Sequence, residues 1–155
     1  MNTLIDDFER TLRSNGLHAA LGLLNARTTH RFTGVYRFDG DWLRNVALFD
    51  RWNPEAAVGA DAPMRETFCA IVPTQGATLE VADGTTDTRF PWMSQNPVVS
   101  YCGTLLRSEA GQPFGTLCHF DFSRCETASS QLFPLMAAAA PMIYRALTRA
   151  GPART

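Results

Sequence analysis

The chain contains no lysine: all 14 of its basic residues are arginine. Without a side-chain primary amine there is nothing to form a Schiff base, to anchor pyridoxal phosphate, or to serve as the lysine of a phosphate-binding loop. Arginine-only usage is also what a GC-rich genome produces. Charge of one sign is scarce as well. The 14 basic residues face 15 acidic ones, a net charge of -1, so the chain lacks the electrostatic footprint of a nucleic-acid binder. No polybasic run suits an anionic membrane surface. No stretch approaches the ~18 consecutive apolar residues that span a bilayer. Asp6, Asp7 and Glu9 stand where a secretory signal would be basic and then apolar. A cytoplasmic protein that contacts neither nucleic acid nor membrane is expected.

Metal-ligand spacing is missing too. Cys69, Cys102, Cys118 and Cys125 include no CxxC pair, and His18, His30 and His119 form no cluster, which argues against structural zinc. In a reducing compartment the four cysteines are expected to be free thiols. No carboxylate pair has the spacing of general acid/base work; Asp83 and Asp121 read as turn and cap residues. No cofactor is expected.

What is present suffices for one core. A chain of 155 residues is a single domain, here residues 1–150, with residues 151–155 as a flexible tail after a Gly151-Pro152 stop. Residues 3–14 place Leu4, Ile5, Phe8 and Leu12 on one helical face, and Asn15-Gly16 ends that helix. A second helix over residues 17–28 carries Leu17, Ala20, Leu21 and Leu24. Residues 31–38 and 42–50 form a hairpin around Asp39-Gly40. Residues 52–60 read as a loop, 63–65 as a short edge strand, 66–73 as a helix and 78–81 as a strand. Residues 85–97 lack periodicity and suit a loop or short helix lying over the sheet. A long helix starting near Ser129 or Ser130 has Leu132, Leu135, Met136, Ala139, Met142, Ile143, Ala146 and Leu147 at helical spacing. Pro134 is tolerable near its first turn, whereas Pro141 should kink or split it.

The stretch from Tyr101 to Asp121 organises the rest. Residues 101–107 and 114–122 read as strands joined by a turn at residues 109–112, in which Gly111 can take positive φ. The second strand is almost continuously apolar, as expected of one covered on both faces. A two-residue turn at Ala110-Gly111 would set Cys102 opposite His119; a one-residue slip would set it opposite Cys118. In either register Cys102 neighbours Cys118-His119, so a redox-sensitive site is geometrically open, although free thiols are expected.

The run Tyr-Cys-Gly-Thr-Leu-Leu, a glycine turn and Gly-Thr-Leu-Cys-His-Phe-Asp is similar to the last hairpin of GAF domains. Upstream, Thr67-Phe68-Cys69-Ala70, then Leu79 to Asp83, then Asp87-Thr88-Arg89-Phe90 resemble the middle of that family in the same order. The resemblance covers residues 16–147. It implies an α/β (α+β) GAF/PAS-like fold: an antiparallel sheet of five or six strands, terminal helices on one face, and a helix/loop roof over a pocket on the other.

The resemblance leaves several functions open, since this fold serves sensing, chromophore binding, dimerisation and catalysis. The dispersed Asn-Lys-Phe-Asp-Glu signature of cyclic-nucleotide-binding members cannot be completed without lysine. Cys118-His119 is similar to the dipeptide of bilin-binding members, but there it lies on a helix and here on a strand, so no chromophore attachment is expected. Free methionine-(R)-sulfoxide reductases have several pocket cysteines. Cys69 alone falls near an equivalent position, and Pro91 to Ser94 offers no second thiol.

Cys69, Phe90, Trp92, Tyr101 and His119 are the candidate ligand-binding residues, with Trp92 and Tyr101 able to stack on a planar ligand. As a buried thiol Cys69 reads first as a small hydrophobe, and His119 as a packed, hydrogen-bonded histidine. The expected function is small-molecule sensing, passed to a signalling partner in trans or through a homodimer built on residues 4–12 and 136–147. A pocket-cysteine enzyme and a dimerising module without ligand are the alternatives.

Overall fold

The computed structural model describes residues 2–126 and 129–150; the Gly151-Pro152 stop lies outside them. Helices α1 (Asn2–Asn15) and α2 (Leu17–Asn25) precede strands β1 (Phe32–Asp39), β2 (Trp42–Asp50), β3 (Ala62–Pro63), β4 (Thr78–Val81), β5 (Ser100–Arg107) and β6 (Pro113–Asp121), and α3 (Ser129–Ala150) follows. The strands form one sheet in the order β3-β2-β1-β6-β5-β4, and every pairing is antiparallel. β6 is therefore central, between β1 and β5, as its apolar run requires.

Alternation along the strands splits the molecule into two cores. Val35, Cys102, Leu106 and Leu117 face the three helices, where Phe8, Leu21, Leu24, Met136 and Ile143 are essentially fully buried. Tyr36, Tyr101, Leu105 and Cys118 face the roof of irregular chain, which supplies Phe68, Cys69, Val72, Phe90 and Met93.

Several local departures have visible causes. α2 stops at Asn25, short of Thr28, because the Asn25 side chain leaves the helix for the sheet. Its Nδ2 donates to Thr33 Oγ1 at 2.9 Å and to the His30 carbonyl at 3.1 Å. Residues 66–73 form successive turns instead of a helix, with 3₁₀ segments at Met64–Glu66 and Val72–Gln75. Thr67 Oγ1 accepts from the Ala70 amide and donates to the Met64 carbonyl, and Pro73 has no amide to extend a helix. α3 is not split at Pro141. Pro141 and Ala137, whose carbonyl loses its partner, both lie on the solvent side, where water can accept that loss. The buried Ala139, Ala140 and Ile143 hold the opposite stripe against the sheet.

The β5–β6 turn has three residues, not two. Gly111 N donates to Ser108 O and Ser108 N to Gln112 O, both at 2.8 Å, with Gly111 at φ 84°. This is a type I turn closed by a left-handed glycine. Leu106 pairs with Gly115 while Arg107 pairs with Pro113, so Phe114 bulges out. The extra loop residue and the bulge cancel, and Cys102 still pairs with His119.

Candidate functional site

Two glycines flank Cys118 across the sheet: Gly34 pairs with it from β1 and Gly103 from β5. This leaves a bare patch, and a tyrosine folds over each side of it. A Cβ on Gly103 would lie 2.4 Å from Tyr101 Oη, and one on Gly34 would lie 2.8 Å from Tyr36 Cε1. Glycine inside a strand marks such a close approach. Above the patch, between sheet and roof, lies a cavity of about 270 Å³ lined by residues including Tyr36, Phe68, Cys69, Tyr101, Cys118 and Phe120. Asn96 Nδ2 donates to the Glu66 carbonyl at 2.6 Å, tying two roof segments at its edge.

Donors converge on Cys69 on the cavity wall. Tyr101 Oη and Thr116 Oγ1 each donate to Cys69 Sγ at 3.1 Å, and Cys118 lies on the same cavity wall. Burial pushes the Cys69 thiol up; hydrogen bonds from Cys118, Thr116 and Tyr101 more than offset it, leaving the group below the ordinary thiol value. Its partners move the other way. Burial, then the neighbouring Cys69, holds Cys118 well above the thiol range and Tyr101 well above the phenol range. A negative charge on this cluster therefore rests on Cys69 while the neighbours stay protonated and donate.

Of the expected ligand-binding residues, Cys69 and Tyr101 line the cavity. Phe90 is buried in the roof-side core and is not part of the lining. Trp92 is 65% exposed with its ring edge-on to Phe90. The 3₁₀ turn Pro91–Met93 buries Met93 and turns Trp92 outward. His119 stands on the opposite face of the sheet, because the cavity takes alternate residues of β6 and His119 is one step out of phase. Its Nδ1 is 2.7 Å from Thr33 Oγ1, and its ring stacks on His30 at 5.9 Å. His30 Nδ1 is 2.6 Å from Thr28 Oγ1. Arg51 closes the group by donating to the Asn25 and Thr28 carbonyls at 2.7 and 2.6 Å. Burial lowers His30 to about 4 and His119 to about 3, so both are neutral, structural imidazoles.

Cys102 shares that helix-side face, with its thiol 4.0 Å from Met136 Sδ and burial pushing it up to about 12. Cys102 and Cys118 thus leave opposite faces, and the strand adjacency that left a redox pair open does not bring them together. The sequence reading missed Tyr36 and Cys118 as cavity residues, and Thr116 as a donor to Cys69. The signal available for them was the pair of in-strand glycines, Gly34 and Gly103.

This architecture is the GAF fold. The chain superposes on the GAF domain of an Acinetobacter phosphoenolpyruvate-protein phosphotransferase with a TM-score of 0.75 at 10% identity, covering 98% of this chain and 95% of that one. A free methionine-R-sulfoxide reductase from Neisseria meningitidis, in complex with its substrate, gives 0.68 at 17% identity, covering 96% and 90%. The phycocyanobilin-bound GAF domain of a cyanobacterial phytochrome gives 0.69 at 11% identity, covering 97% of each chain. No family model and no curated protein matches the chain. No helix among the described residues is long and apolar enough to cross a membrane.

Proposed function

We propose that the domain is a small-molecule sensor: a ligand fills the cavity, and the change passes to a signalling partner or across a homodimer built on α1 and α3. The observation that supports this is the cavity itself, about 270 Å³ with a largely apolar wall that includes Tyr36, Phe68, Tyr101 and Phe120 and a few polar groups, the usual make-up of a ligand site. The volume suits a small, partly apolar molecule. The Cys69 thiol and the Tyr101 hydroxyl provide one polar corner, with Thr116 donating to the thiol from behind. Trp92 has no part in the site. Thermal-shift screening of metabolites, nucleotides and sulfoxides tests the reading. A true ligand at a hundredfold excess over its Kd adds ~2.7 kcal/mol of stability, and Phe120→Ala should weaken it while Trp92→Ala leaves it unchanged. A broad screen with no stabiliser would leave the dimerising module as the reading.

A second reading is enzymatic, of the free methionine-(R)-sulfoxide reductase type. It is favoured by the Cys69 thiol, which combines a cavity position with hydrogen bonds that lower its pKa. Thiol-dependent reduction of free methionine sulfoxide, abolished by Cys69→Ser, would establish it. No turnover by the wild-type protein would exclude it.

A further inference from the structure

Cys118 has no part in the sensing reading, yet it is the residue around which the cavity floor is built. Gly34 and Gly103 clear both sides of it, and Cys69 descends from the roof to the same spot. Cys69 Sγ bonds Thr116, two residues from Cys118 on the same face of β6, and Tyr101, which folds over Gly103 beside Cys118. Both cysteines belong to the cavity lining, buried at 3% and 0% exposure, so a molecule small enough to enter the cavity meets them at its wall. Two hydroxyls at 3.1 Å, from Tyr101 and Thr116, point at one of the two sulfurs and give the pair an inherent asymmetry. The other two cysteines lack this setting. Cys102 is packed against Met136 beneath the helices, and Cys125 lies beyond the end of β6.

We propose that Cys69 and Cys118 form a peroxide-oxidisable thiol pair, with Cys69 the attacking sulfur and Cys118 the resolving one. The oxidant is a small hydroperoxide. Cys69 sulfur attacks the distal peroxide oxygen; the S–O bond forms as the O–O bond breaks. The proton released from the Cys69 thiol goes to the departing oxygen, giving an alcohol, or water from hydrogen peroxide. Cys69 is now a sulfenic acid. Cys118 sulfur then attacks Cys69 sulfur, the S–S bond forms, and the S–O bond breaks. The hydroxyl leaves as water with the Cys118 proton. Two thiols are oxidised by two electrons in all, and one peroxide is reduced. Tyr101 and Thr116 stabilise the anionic sulfur before attack, and the low intrinsic acidity of Cys118 keeps it protonated until the sulfenic acid appears. Closing the disulfide ties the roof at Cys69 to the centre of the sheet and turns the sulfur that accepts both hydroxyls into a weaker acceptor.

The experiment treats the full-length wild-type protein with hydrogen peroxide under native conditions. Remaining thiols are then alkylated in denaturant, followed by non-reducing peptide mapping. The expected product is a Cys69–Cys118 linkage, with Cys102 recovered as a free thiol. Thr116→Val should slow its formation severalfold, because one of the two hydroxyls that donate to Cys69 Sγ is lost. Cys118→Ser should convert the outcome into a Cys69 sulfenic acid that a 1,3-dione traps. Circular dichroism checks that each variant is folded, and the wild-type mapping decides the matter if one is not. The proposal is overturned if peroxide leaves Cys69 and Cys118 as thiols. It is equally overturned if Cys69 oxidises no faster than Cys102, or if the cross-link involves another cysteine. Ligand binding by the reduced protein is measured separately and does not depend on this result.

Discussion

Placing a methyl group at Gly103 tests the floor of the cavity most directly. In Gly103→Ala the new carbon would stand 2.4 Å from Tyr101 Oη, 2.5 Å from Cε1 and 2.7 Å from Cζ. A tyrosine ring is flat and stiff, and this one is 3% exposed and stacked on Phe68 at 5.5 Å, so it cannot yield by a small adjustment. Overpacking of this kind costs roughly 1–3 kcal/mol. Displacing the ring also breaks the bond to Cys69, worth about 1 kcal/mol. Against this, alanine loses less conformational entropy than glycine in a strand, a gain of roughly 0.5–1 kcal/mol. The net expectation is a loss of about 2 kcal/mol, or roughly 4–8 °C in Tm for a domain of this size. Urea and thermal unfolding followed by circular dichroism measure it. Because the three atoms nearest the added methyl group all belong to one ring, Gly103→Ala and Tyr101→Ala should be strongly non-additive: without the ring those clashes are gone. Unchanged stability in Gly103→Ala, or strictly additive losses in the double variant, would refute this account of the floor.

The neutral pair His30 and His119 makes stability fall with acid. Both folded-state pKa values, about 4 and about 3, lie below the ordinary 6.5, so the stabilisation is complete above pH 6.5 and is lost as the unfolded chain takes up protons below it. Between pH 6.5 and 5.5 the two together should cost about 2 kcal/mol in urea unfolding, and His119→Asn should remove about half of that dependence. A pH-independent midpoint over this interval would show that the imidazoles are not buried as described. Phe8, at 1% exposure between the helices and the sheet, should cost roughly 3–5 kcal/mol on replacement by alanine; a loss under 1 kcal/mol would mean the helix layer is not packed as observed. Light scattering at tens of micromolar protein, on the order of the range in which standard-size interfaces hold, should report a dimer through α1 and α3; a monomer would end that proposal.

The fold was legible because its periodicities are strong. The terminal helices carry long apolar stripes, the Asp39-Gly40 region predicts a tight hairpin, and the nearly continuous apolar run of β6 places that strand in the middle of the sheet. The candidate site was legible only in part. Cys69 and Tyr101 were found because they sit in segments resembling a known family. Trp92 and His119 were drawn in by residue chemistry, which says nothing about which face a side chain leaves. For His119 that question turns on a single step of strand phase, and for Trp92 on which residue of a 3₁₀ turn is buried. Neither leaves a mark in composition. Thr67 shows the same limit, since a hydroxyl that satisfies nearby backbone groups turned an expected helix into a run of turns.

Phe114 carries a consequence for how this hairpin can change length. Its bulge absorbs the one residue by which the Ser108–Gln112 turn exceeds the shortest hairpin. Loop and bulge therefore behave as a coupled insertion: a chain that straightened β6 at Phe114 but kept the three-residue turn would slip β6 by one residue against β5. That slip would point His119 into the cavity and bury Cys118 under the helices, exchanging the two chemistries that one backbone now keeps apart. Variants of this chain that exchange the turn for a two-residue one at constant length should accordingly straighten the strand at Phe114 in the same step.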